Sequence, residues 1–62
     1  MYTVYIRTSD RYDPFIETVR NYMFDEKGNL KLYNNSCLWF FPYQVLQYVC
    51  IKEVEDEEIK PD

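Results

Sequence analysis

A stretch of fourteen residues, LWFFPYQVLQYVCI, contains five aromatic side chains and no charged one. It is too short for a membrane-spanning helix, which needs about 20 apolar residues, and Pro42, Gln44 and Gln47 interrupt it. It must therefore be packed within the fold or covered by another molecule. Because Pro42 cannot donate a hydrogen bond to a sheet, the pattern predicts a strand over CLWFF, one helical turn over PYQVLQ and a final strand over YVCIKEVE.

The apolar side chains of this stretch divide into two groups. We expect one group to supply much of the core: Leu38, Phe40, Val45, Leu46, Val49 and Ile51. The remaining four are too bulky to be buried as well in a chain of 62 residues: Trp39, Phe41, Tyr43 and Tyr48. Since aromatic residues concentrate at protein interfaces, these four are predicted to form a protein-binding surface. The alternative is that they close the second face of a small barrel.

The first residues of the chain predict a strand. In MYTVYIR, Tyr2, Val4 and Ile6 alternate with Thr3, Tyr5 and Arg7, which is the period of a sheet. The following TSDRYDP is rich in turn-forming residues and is expected to be a loop.

Residues 14–24 are compatible with two structures. Asp13 as N-cap, Pro14 at the first helical position and an apolar stripe at helical spacing predict a helix over 14–24 packed on a small sheet. Several residues of this segment form helices poorly, and the segment leads directly into a hairpin. We therefore favour a strand from about Val19 onward, with the helix as the alternative.

The hairpin is predicted together with its register. Asp25, Glu26 and Lys27 suit a type I turn, and Gly28 suits the left-handed position that follows. This turn places four pairs opposite one another: Phe24 with Leu30, Tyr22 with Leu32, Met23 with Lys31, and Asn21 with Tyr33. The next segment, YNNS, is predicted to be a second turn.

These elements predict a mostly β protein, a small antiparallel sheet or partly open SH3-like barrel of four to five strands with one short helical turn. Phe41 and Pro42, followed by a helical turn and then by Tyr48 and Val49, resemble the end of SH3-type barrels. The resemblance covers about ten residues, with three more residues between Pro and Tyr than the family has. The Gly-rich strand and the paired acids of the family's peptide groove are missing, so its polyproline-binding function is not carried across.

The sequence offers little catalytic chemistry. It contains no His, so the commonest general base and metal ligand is absent, and one Gly cannot form a phosphate-binding loop. Cys37 and Cys50 fit neither a redox pair nor a zinc site, and both are predicted to be reduced, small apolar filler, with a disulfide as the alternative if the chain is secreted. We therefore expect no enzyme activity, no cofactor and no metal.

Charge is concentrated at the end of the chain. The net charge is −4, and six of the eleven acidic residues lie in the last ten positions. We expect a single domain over residues 1–54 and an acidic, flexible tail over 55–62.

Glu53, Glu55 and Glu57 suggest a DNA-mimic inhibitor of a nucleic-acid enzyme as one alternative function. Single-stranded nucleic-acid binding is a second alternative, disfavoured by the net acidity, and it would need these residues beside the tyrosines: Arg7, Arg11, Arg20, Lys27 and Lys31.

The function that the sequence favours is non-enzymatic, stoichiometric binding of a host or self protein. Residue usage typical of AT-rich codons suggests a phage or mobile-element inhibitor or regulator of a host protein. A homodimer is expected because so small a sheet would leave strand edges and aromatic faces bare. No membrane association is predicted, and the absence of a signal peptide suggests a cytoplasmic location.

Overall fold

The computed structural model describes residues 1–54, which form a mostly antiparallel β structure. The regular elements are β1 (Tyr2–Thr8), β2 (Phe15–Val19), β3 (Asn21–Phe24), β4 (Leu30–Tyr33), β5 (Leu38–Phe41), a 3-10 helix (Tyr43–Val45) and β6 (Leu46–Glu53). The proposed tail, residues 55–62, lies outside the described residues. No helix within residues 1–54 has the length and apolar character needed to cross a membrane.

The strands form two antiparallel three-stranded sheets. The first sheet has the order β2-β1-β6 and the second sheet the order β3-β4-β5. Only Arg20 separates β2 from β3, and its backbone N–H donates to the Tyr33 carbonyl over 3.0 Å. The chain therefore passes from one sheet to the other at this residue, as one bent strand would. This confirms the predicted antiparallel β fold with one short helical turn, although it has six strands in two sheets where four to five strands were predicted.

Residues 14–24 contain strands and not the alternative helix. Strand structure begins at Phe15, earlier than the predicted start near Val19, because Phe15 to Val19 pair with β1 along their whole length. The last strand also begins earlier than predicted, at Leu46. The segment that resembles SH3-type barrels has the expected order, with Phe41 ending β5, Pro42 preceding the 3-10 helix and Tyr48 within β6.

The hairpin of β3 and β4 has the predicted register. Tyr22 lies opposite Leu32 and Phe24 opposite Leu30, as the turn requires. Gly28 has φ +94°, a conformation that L residues with a side chain rarely adopt. A Cβ at this position would lie 3.4 Å from the Tyr43 Cβ, an ordinary van der Waals contact, so the backbone conformation and not a lack of space calls for glycine.

One cluster of buried side chains contains residues from both sheets: Val4, Ile6, Val19, Leu30, Leu32 and Phe41. Aromatic contacts extend it. Phe15 of the first sheet packs edge-to-face against Trp39 and Phe41 of the second, with ring centroids 5.7 and 5.1 Å apart. Tyr2 and Tyr22 make a similar contact at 5.0 Å. A few large aromatic rings therefore bury the apolar area between the two sheets that many small residues would otherwise bury.

The predicted face of β5 is wrong. Leu38 and Phe40, expected in the core, are 63% and 53% exposed, whereas Phe41 is buried and Trp39 is half-buried against the core. The reason is the register with β4, which pairs Trp39 with the buried Leu32 and so turns Phe40 outward. Of the other predicted core residues, Leu46, Val49 and Ile51 pack against the core. Val45 is half-buried in the 3-10 helix and is not part of the cluster.

Asp25 holds the hairpin turn together. Its carboxylate accepts hydrogen bonds from the backbone N–H groups of Lys27 and Asn29 and from the Asn29 side chain, each 2.9 Å long. The Asn29 Oδ1 in turn accepts a 2.8 Å hydrogen bond from the Tyr43 N–H, which ties the 3-10 helix to the turn. These bonds, with that from the Asn29 side chain first, hold the pKa of Asp25 below its ordinary value.

The lowered pKa of Asp25 predicts an acid-dependent loss of stability. Ionised Asp25 stabilises the fold fully above its unfolded-state pKa of about 3.9, and this contribution is lost as pH falls through the lower native value. We expect Asp25→Asn to lower the free energy of unfolding near neutral pH. We also expect the free energy of unfolding of this variant to fall less steeply than that of the wild type as the pH is lowered. Urea midpoints of both proteins from about pH 7 to about pH 2 measure this, and parallel curves would contradict it.

Candidate protein-binding faces

The four residues predicted to bind protein do not share one surface. Phe41 is buried in the core, and Trp39 is half-buried beside it on the inner side of β5. Tyr43 is exposed on the 3-10 helix, and Tyr48 is exposed on the opposite side of the first sheet from the core. Several exposed apolar side chains lie instead on the outward sides of the two sheets, among them Ile16, Met23, Leu38 and Phe40, and the described residues contain no pocket.

The outer face of the second sheet is an apolar surface. Strand alternation places six residues on it: Asn21, Met23, Lys31, Tyr33, Leu38 and Phe40. Leu38, Phe40 and Met23 are exposed, whereas the buried Leu30 and Leu32 of the central strand point to the other side. The face thus combines side chains of all three strands without burying any of them.

Lys31 occupies the middle of this face. It lies directly opposite Met23 on one side and Phe40 on the other. Beside it on β4, the Tyr33 hydroxyl donates to the Met23 sulfur over 3.4 Å, which joins two strands across the face. With one cation and no carboxylate among its six residues, the face is suited to an apolar partner that presents a single acidic group.

The outer face of the first sheet has a different character. Its residues are Thr3, Tyr5, Arg7, Ile16, Thr18, Tyr48, Cys50 and Lys52. Tyr5 and Tyr48 pack edge-to-face with centroids 5.9 Å apart, and the Arg7 guanidinium lies 3.5 Å from the Tyr5 hydroxyl. Arg7 and Lys52 are its only charged members, so this face is aromatic and cationic.

The other predicted site residues are dispersed or lie beyond the described part. Glu53 is exposed at the end of β6, whereas Glu55 and Glu57 lie outside the described residues. The acidic-mimic hypothesis therefore stays a prediction. Both cysteines are free thiols, but Cys37 is exposed between β4 and β5, so its predicted role as apolar filler is wrong. Cys50 is half-buried.

Sequence reasoning missed Met23, Leu38 and Phe40 as surface residues. The segment LWFF is apolar at every position, so alternation could not show which residues point inward. The length of the YNNS turn decides which residues of β5 point inward, because it sets the pairing of β5 with β4. The Asn34 N–H donates to the Cys37 carbonyl over 2.9 Å, which leaves a two-residue turn and fixes Tyr33 opposite Leu38.

Comparison of the chain with protein-family models, curated proteins and solved structures finds no match. Proposals about function therefore rest on the two faces and on the strand edges.

Proposed function

We propose that this chain is a small, non-enzymatic module that binds another protein through the outer face of its second sheet. The observation that supports the proposal is the exposed set of Met23, Leu38 and Phe40, which surrounds a central Lys31. Interface centres are enriched in aromatic residues and Met and are poor in carboxylates, and this face matches that composition. Exposed residues of this kind on one contiguous face mark interaction surfaces.

The geometry suggests the chemistry of the partner. A complementary surface is apolar and carries one Asp or Glu that meets Lys31 between the Met23 and Phe40 side chains. Such a central charge pair fixes orientation and specificity more than it adds affinity. Binding is stoichiometric, as the sequence predicts for a phage or mobile-element inhibitor or regulator of a host protein.

The test compares two variants that each place a Lys on an exposed strand position. Met23→Lys adds a second cation to the proposed docking face, and Ile16→Lys makes a matched change on the outer face of the first sheet. The tagged wild-type chain is used to capture a protein in near-equal amount from a lysate of the organism that carries the gene. Calorimetry with the purified partner should then show an affinity loss of at least about tenfold for Met23→Lys and little change for Ile16→Lys.

The reverse order of effects would contradict the proposal. If Ile16→Lys abolished binding and Met23→Lys preserved it, the docking surface would be the first sheet. Circular dichroism of both variants checks that each remains folded, which is expected because both positions are exposed.

A specific observation favours single-stranded nucleic acid as a second candidate ligand, at the outer face of the first sheet. Tyr48 lies directly opposite Arg7 and packs edge-to-face against Tyr5, and Lys52 lies further along the same face, opposite Thr3. Bases stack on exposed aromatic rings, and nearby cations attract the phosphates. Fluorescence polarisation with a labelled oligothymidylate at low salt tests this candidate. Binding lost in Tyr48→Ala would support it, and no binding by the wild type would reject it.

A further inference from the structure

Within residues 1–54, the outer edge of β5 has no strand paired with it and carries no charge. No charged residue occurs from Leu32 to Ile51, and Cys37, Leu38, Phe40 and Pro42 are all exposed. Proteins usually protect edge strands with charged side chains, bulges or a covering segment, because an open edge pairs readily with another strand. β5 has no charge and no bulge, and its only such features are its length of four residues and the proline that follows it.

The backbone of β5 presents matched donors and acceptors at this edge. Asn34 and Cys37 form a hydrogen-bonded pair, and such pairs recur at every second residue, so Trp39 also bonds to β4. Leu38 and Phe40 then direct their N–H and C=O groups away from β4. Within residues 1–54, no backbone hydrogen bond outside the sheet uses these four groups.

The residues directly after β5 are held at the turn between β3 and β4. Beyond Pro42, the Tyr43 N–H bonds to Asn29 over 2.8 Å, and the Tyr43 side chain approaches Gly28. Asn29 and Gly28 belong to the turn between β3 and β4. The start of the 3-10 helix is therefore tied to the β4 side of β5, which is the side away from its open edge.

We propose that β5 pairs antiparallel with β5 of a second copy of this chain, about a two-fold axis at Trp39. In this register Leu38 lies opposite the partner's Phe40, and Phe40 opposite the partner's Leu38. Both residues of each pair have outward-directed backbone groups, so the two pairs make four hydrogen bonds. The result is a continuous six-stranded sheet with the order β3-β4-β5-β5-β4-β3.

The other two-fold registers make fewer hydrogen bonds. An axis at Phe40 would place Leu38 opposite the partner's Pro42, which has no N–H to donate and whose carbonyl already accepts from the Val45 N–H over 3.1 Å. An axis at Leu38 would place Phe40 opposite the partner's Ser36, which lies in the turn before β5. The axis at Trp39 alone uses both outward-directed residues of the strand and brings an apolar side chain against another on the outer face.

The dimer also enlarges the outer face of the second sheet. Joining two such faces edge to edge doubles the apolar area on one side of the sheet. The pairing does not depend on the proposed docking function, because it is made by the β5 edge and needs no other protein.

Sedimentation equilibrium of the purified full chain over a range of concentrations tests the pairing. We expect the wild type to form a dimer, and Leu38→Glu and Phe40→Lys each to raise its dissociation constant by about tenfold, since each change alters two symmetry-related pairs. The double variant should regain affinity, because Glu at 38 then meets the partner's Lys at 40 twice. Ile16→Lys is the control and should retain the wild-type dissociation constant.

Three results would overturn the inference. A wild type that stays monomeric at all concentrations excludes the pairing, and a trimer or larger ring excludes the two-fold arrangement. A double variant as weak as the single ones excludes the Leu38–Phe40 register. Met23 lies on the opposite edge strand, so a Met23→Lys protein that dimerises normally but still binds the captured partner would contradict the docking proposal alone.

Discussion

Leu32→Ala is expected to remove most of the stability of the fold. Leu32 is fully buried in the central strand of the second sheet and belongs to the core cluster shared by both sheets. Truncating a buried Leu costs about 2–5 kcal/mol, and a chain of this size is stabilised by only about 3–5 kcal/mol in total. Urea unfolding followed by circular dichroism measures the loss.

Ile16→Ala provides the matched control, since it removes a side chain with the same number of carbon atoms from an exposed strand position. We expect it to lower the free energy of unfolding by about 1 kcal/mol or less. Equal losses in the two variants would show that the second sheet does not contribute the centre of the core.

Two neighbouring phenylalanines are expected to give opposite results when truncated. Phe41→Ala should cost about 3–5 kcal/mol, because Phe41 is buried and packs edge-to-face against Phe15 across the two sheets. Phe40→Ala should cost about 1 kcal/mol or less, because its side chain is on the outer face. Unfolding is measured at low protein concentration, which keeps the chain monomeric and removes any effect of dimer dissociation.

Which of the two variants loses more unfolding free energy shows which face of β5 points into the core. If Phe40→Ala were the more damaging variant, the strand would have the opposite face towards the core, and Leu38 and Phe40 would not be available for binding. Similar losses in both variants would place both rings in well-packed surroundings, which the described structure does not allow.

The first strand and the hairpin could be predicted from sequence because local rules fix them. Val4 and Ile6 alternate with polar or larger residues, so the buried face of β1 follows directly. In the hairpin, Asp25 and Gly28 specify the turn, and the turn alone sets which residues of β3 and β4 face each other.

Two features could not be predicted in the same way: which residues of β5 point into the core, and where β2 begins. LWFF is apolar at every position, so only its pairing with β4 decides that Phe41 points inward. From Phe15 to Phe24, apolar residues fall at helical spacing, and the strand forms because Phe15 and Ile16 pair with Ile6 and Tyr5 of β1. Long-range pairing overrides local pattern in both cases.

The docking face could not be predicted because it depends on that same pairing. Met23, Lys31 and Phe40 come from three strands, and the sequence gives no reason to group them until the registers of β3, β4 and β5 are known. The predicted Trp39 and Phe41 are large and aromatic, as interface residues often are, but in this fold they pack towards Phe15.

The most direct test of the docking proposal is a nuclear magnetic resonance titration of the isotope-labelled chain with its purified partner. We predict that the backbone amide signals of Met23, Lys31 and Tyr33 change first, because they lie on the outer face of the second sheet and away from the β5 edge. Changes centred on Tyr5, Ile16 and Tyr48, with the β3 and β4 signals unaffected, would contradict the account and move the docking surface to the first sheet.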